Sequence, residues 1–301
     1  MIFAYDECDN QVKVSDFGLH DEPALNQFIG FQTVKMSYDQ RGNCVAWEDY
    51  GADGNRCLVK DGYAKVTASY DARGNQIAWA CFGLHDEPVT AQSHGAHAIK
   101  MSYDEHRYCT AREYYGVDGK RCAPKGGYAK STTNYDDSGR QLEQKEFDLG
   151  GNATVKKYDK RGRQIEEAYF DDAGKPTTNK NGIARWIAKG PEGTNQADIT
   201  YFDRDGTPIA VQIYVSEVLP DGQAKELGLA EGDVLVSYDG KPVTKVADIQ
   251  TWTDTPGDAL RELIVSRSGE RVSFKLKPGK IGILMDVRPA PVAEKIPEIV
   301  K

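Results

Sequence analysis

The sequence repeats itself with a period of 65 residues, and this duplication constrains the fold more than any other feature. Residues 5–65 align without a gap with residues 70–130, and 32 of the 61 aligned pairs are identical. Each block divides again, because a Tyr-Asp pair returns every 32 or 33 residues, at Tyr5, Tyr38, Tyr70, Tyr103 and Tyr135, with less regular copies at Tyr158 and Phe202. Short repeated units bury a core only by stacking on their neighbours, so the sequence predicts an array.

One unit, KVTASYDARGNQIAWACFG, shows what the array is made of. Apolar and polar residues alternate on both sides of Asp71–Asn75, which is typical of β-strands. Asp-Ala-Arg-Gly-Asn suits a type I turn followed by a left-handed glycine and a bulge. A second Asp-Gly or Ala-Gly turn follows in most units, so we expect about three strands in each unit. The predicted fold class is therefore mainly β, with an elongated tandem β-hairpin array over residues 1–206.

Two known repeat families share parts of this pattern. YDDSGRQLE at Tyr135 and YDKRGRQIE at Tyr158 resemble bacterial YD (RHS-type) repeats. YFDDAGK at Tyr169 and YFDRDGT at Tyr201 resemble choline-binding-type repeats, although the Gly-Trp pair of that family is missing. The resemblance implies a hairpin architecture. It leaves two interpretations of the aromatic residues open: they pack the array, or they bind a glycan or the cell wall.

The pattern changes after Gly206. The strand QIYVSEVLPDGQA begins at Gln212, the helix AKELG at Ala224, the block GLAEGDVLVSYDGKPV at Gly228, and the helix VADIQTW at Val246. Together these segments resemble a bacterial PDZ domain. The resemblance implies a small α+β domain over residues 207–289, followed by a Pro-rich tail over residues 290–301.

The stretch GKIGILMD, residues 279–286, resembles the loop with which PDZ domains hold a peptide's terminal carboxylate. Such a loop normally opens its domain, and here it stands at the end, so we interpret the domain as circularly permuted. The strand from Ile283 should then lie at a sheet edge beside the helix that contains Ile249. The predicted peptide-binding residues are Lys280, Ile281, Gly282, Ile283, Leu284, Ile249 and Trp252. The alternative is that this segment is only a last core strand and that the groove is blocked.

Other functions are disfavoured by composition and by the motifs present. The net charge of −8 argues against nucleic acid. No run of eighteen apolar residues is long enough to span a membrane, and the amino terminus has no targeting-peptide pattern. We find no nucleophile or phosphate-loop motif, and therefore expect no enzyme, no catalytic residue and no cofactor.

The cysteines and histidines were considered as metal ligands. The one metal-like spacing joins His94, His97, His106 and Cys109, but His97 and His106 stand where the earlier copy has Gln32 and Arg41. We therefore interpret the histidines as drift in surface turns and expect no metal. For the six cysteines, disulfides and free thiols both stay open.

The function that these patterns favour is non-catalytic protein interaction. A PDZ groove would bind a peptide carboxyl terminus or an extended strand, and the array would act as a scaffold or second binding surface. The alternatives are the substrate-selecting part of an envelope protease system whose catalytic domain lies elsewhere, and carbohydrate binding by the repeats. The location is open, with a lean towards the bacterial cell envelope or secretion.

Overall fold

The structure is a computed structural model that describes residues 1–125, 127–190 and 198–291. The fold is mostly β, with a long antiparallel sheet of 15 strands and a small PDZ-like carboxyl-terminal domain, which confirms the predicted class. The chain forms two compact units, Met1–Lys175 and Pro176–Lys301. The predicted boundary between residues 206 and 207 stays a prediction. Most of the predicted tail, from residue 292 onwards, lies outside the described residues.

Strands in the first unit pair with their neighbours in chain order. They are β1 (Ile2–Tyr5), β2 (Gln11–Ser15), β3 (Thr33–Tyr38), β4 (Cys44–Tyr50), β5 (Lys65–Tyr70), β6 (Gln76–Phe82), β7 (Ala98–Tyr103), β8 (Cys109–Tyr115), β9 (Lys130–Tyr135), β10 (Gln141–Phe147), β11 (Ala153–Tyr158) and β12 (Gln164–Phe170).

The Tyr-Asp pair of each repeat has two separate structural tasks, as the unit at Tyr70 shows. The Tyr70 hydroxyl donates to the Cys44 carbonyl of the preceding hairpin at 3.0 Å. The Asp71 carboxylate accepts the N–H groups of Arg73 and Asn75 at 2.9 Å, and Gly74 takes a φ of +80°. The strand register also shifts beside Tyr70, as expected for the predicted bulge. The tyrosine thus joins neighbouring units, while the aspartate shapes the turn of its own unit.

The second turn of a unit does not lead into a third strand, which corrects the prediction of about three strands. After the turn at Gly51–Asn55, only one isolated bridge forms, between Tyr50 and Arg56. The chain then leaves the ladder, and residues from these linking segments pack on the sheet. Ala91, from one such segment, is fully buried with Val66 and Cys81. Each unit is therefore a two-stranded hairpin with a covering segment, and this segment supplies part of the core.

The second unit contains the last three strands of the long sheet and the PDZ-like domain. Its elements are β13 (Arg185–Lys189), β14 (Asp198–Phe202), β15 (Pro208–Ile209), β16 (Val211–Val218), α1 (Gln223–Leu227), β17 (Val234–Tyr238), β18 (Lys241–Pro242), α2 (Val246–Thr253), β19 (Arg261–Arg267), β20 (Glu270–Leu276) and β21 (Ile283–Pro289). The domain sheet has the order β20-β19-β17-β16-β21, and β18 pairs with β17. Its core includes Val215, Leu235, Leu263, Val265 and Leu276, all nearly inaccessible to solvent.

Candidate functional site

Strand β21 lies at the edge of the domain sheet, where the sequence predicts the strand from Ile283. It pairs antiparallel with β16, from Val218 opposite Ile283 to Val211 opposite Pro289. Within the described residues, no strand pairs with its other edge. Side chains alternate along it, and those of Ile283, Met285 and Val287 pack against the core. An edge strand with one apolar face is the kind of surface to which an extended peptide can add.

The loop before β21 approaches the start of α1 so closely that two glycines are required. Gly282 has a φ of +86°, and a Cβ on it would lie 2.4 Å from the Gly222 Cα. A Cβ on Gly222 would in turn lie 2.5 Å from the Gly282 Cα. Neither position accommodates a side chain without displacing backbone. The loop conformation therefore depends on two glycines 60 residues apart in the sequence.

The carbonyl groups of this loop point towards the protein. The Ile281 carbonyl accepts the Ala224 N–H, and the Gly282 carbonyl accepts the Leu219 N–H, each at 2.9 Å. Because the peptide group is planar and trans, the next N–H in each case points the opposite way. The N–H groups of Gly282 and Ile283 are therefore directed away from Ala224 and Leu219. Two successive N–H groups with this orientation form a concavity suited to an anion.

Gln223 holds the loop in place from α1. Its Nε2 donates to the carbonyls of Lys277 and Lys280 at 3.0 and 3.1 Å, and its Oε1 accepts the Lys277 N–H at 2.8 Å. From α2, the Thr253 carbonyl accepts the Gly279 N–H at 3.1 Å. The loop is thus attached to both helices. Sequence reasoning missed Gln223, because a glutamine at the start of a short helix carries no local signal for a partner 54 residues away.

The predicted peptide-binding residues fall into two groups. Ile249 and Ile281 are buried in the core at 2% and 4% exposure, and Trp252 packs against the same core, stacked on Tyr238 at 6.3 Å. Lys280 is exposed, and Leu284 is 48% exposed. The structure brings the loop residues and the core residues into one domain. Their contact with a peptide stays a prediction.

On the opposite face of β21, one asparagine fixes a neighbouring turn. The Asn181 Nδ2 donates to the Asp286 carboxylate at 2.7 Å, and its Oδ1 accepts the Tyr214 hydroxyl at 3.1 Å. The Arg288 guanidinium lies over the Tyr214 ring, 4.9 Å from its centroid. Asp286 alternates with the core-facing side chains of β21, so these contacts lie on the face away from the core. The turn that precedes β13 is thereby attached to the PDZ-like domain.

The residues considered as metal ligands do not converge. His97 Nδ1 lies 2.7 Å from the Cys81 carbonyl, His94 stacks edge-on against Trp79, and the Cys109 thiol contacts the Ala111 carbonyl. Among the residues that the structure describes, no three His, Cys, Asp or Glu side chains form a cluster that could hold a metal ion. The six cysteines are free. In the same residues, no helix has the length and apolar character needed to cross a bilayer.

Comparison with known proteins supports the assignment of the second unit. Residues 214–267 match the sequence model of the PDZ domain, a non-catalytic module. Over 68 residues, the chain is 37% identical to "Serine protease HTRA1" of Xenopus tropicalis. The protein of the same name from Xenopus laevis is 34% identical over 68 residues. Each match covers 23% of this chain, and 15% and 14% of the two relatives, within the PDZ region. Circular permutation and the repeat-family resemblances stay predictions.

Proposed function

We propose that the PDZ-like domain binds the carboxyl-terminal segment of a protein by adding it as a strand to β21. One observation carries this proposal: β21 is an edge strand that follows directly on a loop whose N–H groups point away from the protein. A ligand strand would bond to the free edge of β21, and its terminal carboxylate would accept hydrogen bonds from Gly282 and Ile283. The exposed Lys280 would add a favourable charge.

The apolar face of β21 gives the proposal its side-chain preference. Ile283 and Met285 are partly buried and border the core that contains Ile249 and Ile281. A ligand strand beside them would direct alternate side chains towards this apolar region. We therefore expect a preference for an apolar residue at the peptide's carboxyl terminus, with the buried isoleucines beneath the pocket and Leu284 and Trp252 near its border.

Isothermal titration with a library of peptide carboxyl termini tests the mechanism. Each peptide is used in a free-acid form and in an amidated form. Amidation removes the charge that the loop is proposed to hold, so we expect affinity to fall by about tenfold or more. Equal binding of both forms would contradict a carboxylate-binding loop.

Two lysine substitutions provide a matched comparison. Lys280→Ala removes the positive charge beside the loop and should weaken the free-acid peptide by about two- to tenfold. Lys275→Ala removes a charge from β20, at the opposite edge of the sheet, and should leave binding unchanged. Equal effects of the two substitutions would indicate general electrostatics and not a local site.

The matches to HTRA1 favour a second candidate, in which the domain selects substrates for a protease whose catalytic domain lies elsewhere. A substrate selector should accept many unrelated carboxyl termini with similar affinities, whereas a dedicated interaction module should prefer one group by about tenfold or more. The peptide library separates the two. In both cases, we propose that the chain is non-catalytic and that the repeats act as its scaffold or second binding surface.

A further inference from the structure

The first unit contains a cavity of about 230 Å³ on one face of the sheet formed by β4, β5 and β6. It lies far in the sequence from the PDZ-like domain and has no part in the function proposed above. Its lining includes three aromatic residues and three polar ones, namely Trp47, Tyr63, Trp79, Asp61, Gln76 and His94.

The side chains around this cavity are held in position. His94 packs edge-on against Trp79 with ring centroids 5.1 Å apart, and the side chains of Trp47 and Tyr63 share a hydrogen bond. The Asp61 carboxylate accepts the Ser93 N–H at 2.6 Å and the Ser93 hydroxyl at 2.7 Å. The site is therefore built before any ligand arrives, which reduces the entropy cost of binding.

The electrostatic character of the lining is negative. The faces of the aromatic rings carry partial negative charge, and Asp61 carries a full one. The cavity lining contains no lysine or arginine. Cation–π attraction is strongest in a site that is partly removed from water, as these half-buried tryptophans are. An alkylated cation matches such a lining better than an anion or a strongly hydrated ion.

The internal duplication provides an independent argument. In the second copy, Arg112 stands where the first copy has Trp47, and Tyr128 stands where it has Tyr63. A hydrogen bond to Cys109 and the charges of Tyr114 and Tyr128 raise the pKa of Arg112 despite partial burial. The second copy thus places a cation of its own beside its tyrosines. The first copy has a ring at the corresponding position and leaves an aromatic cavity.

We propose that this cavity binds a methylated ammonium group, with Trp47, Tyr63 and Trp79 as the cage and Asp61 as its counter-charge. A neutral sugar is the alternative that the aromatic residues also suggest. It would need several hydrogen-bonding partners, and the Asp61 carboxylate already accepts two bonds from Ser93.

Tryptophan fluorescence of the full chain provides the test. Trp186→Phe and Trp252→Phe are introduced together, which leaves Trp47 and Trp79 as the reporters. Tetramethylammonium is titrated beside tert-butyl alcohol, which has a similar size and no charge, and beside glucose. We expect tetramethylammonium to bind about tenfold or more tightly than either neutral compound. Equal binding of the alcohol, tighter binding of glucose, or no saturable response to the cation overturns the proposal.

Two substitutions taken from the second copy locate the site. Trp47→Arg introduces the residue found at Arg112 and should abolish cation binding, because the guanidinium supplies the charge itself. Trp79→Gln introduces the residue found at Gln144 and should weaken binding by about tenfold. Circular dichroism checks that both variants fold. Retained binding in both folded variants contradicts the assignment of the cage.

A peptide containing one trimethyl-lysine distinguishes the source of the cation. Tighter binding of this peptide than of tetramethylammonium would support a modified protein as the ligand, whereas equal or weaker binding would support a small free cation. In either case, the same peptide with unmethylated lysine should bind more weakly, since ammonium is strongly hydrated.

Discussion

A buried carboxylate in the first unit leads to a prediction about stability and pH. Asp49 is 2% exposed, and within the described residues its Oδ2 has no hydrogen-bond partner. Burial raises the pKa of Asp49 to about 7. The folded protein therefore holds a proton that the unfolded chain releases near pH 4. Folding stability contributed by this group is fully present at pH 4 and is lost as the pH rises to 7.

The size of this effect follows from the pKa difference. Three pKa units correspond to a loss on the order of 4 kcal/mol between pH 4 and pH 7. Asp49→Asn removes the titration and keeps the side-chain volume. We expect the variant to gain stability relative to the wild type as the pH rises through this window, and to keep a constant advantage above it.

Urea unfolding at several pH values measures the difference. The Trp186→Phe and Trp252→Phe background restricts the fluorescence signal to Trp47 and Trp79, which lie in the same unit as Asp49. Asp53→Asn is the control: hydrogen bonds from Asn55 lower the pKa of this exposed carboxyl, so it stays ionised above pH 5. A stability difference between Asp49→Asn and the wild type that does not change from pH 4.5 to 7.5 would refute the reasoning.

Three further substitutions test the PDZ-like domain. Gly222→Ala should cost about 1–3 kcal/mol and weaken peptide binding, because its Cβ would meet Gly282; thermal unfolding and titration measure both. Arg267→Ala should cost about 2–3 kcal/mol at pH 7, because it leaves the buried Asp233 carboxylate without its pair, whose N–O distance is 2.7 Å. The loss should shrink at pH 3, where the carboxyl is protonated. Gln223→Ala should cost about 1–2 kcal/mol through three lost hydrogen bonds and should weaken peptide binding.

Each of these substitutions has a control in the same domain. Gly232→Ala introduces backbone strain at a φ of +90° but meets no atom within 4 Å, so it should leave peptide affinity unchanged. Arg271→Ala removes an exposed charge from β20 and should change stability by less than about 0.5 kcal/mol. If Gln223→Ala leaves peptide affinity unchanged, this residue does not position the loop.

Local sequence chemistry was sufficient to predict the hairpins. The Asp-x-Arg-Gly-Asn turn is formed by bonds between residues at most four positions apart, as at Asp71 and Asn75. The left-handed conformations at Asp239 and Gly240 and at Ser268 and Gly269 likewise follow from turn residues beside each other. The third strand expected in each unit was wrong because a turn signal does not say whether the next segment pairs or leaves the sheet.

For the candidate site, the sequence by itself determined the domain type, the order of its elements and the apolar-Gly-apolar loop before β21. These depend on short motifs whose residues are neighbours. Only the tertiary structure decided that Gly222 faces Gly282, that Gln223 holds the loop, that Asp49 is buried, and that Trp47 and Trp79 border one cavity. Each of these facts arises from contacts between distant segments, and side-chain burial depends on which segment covers which face of the sheet.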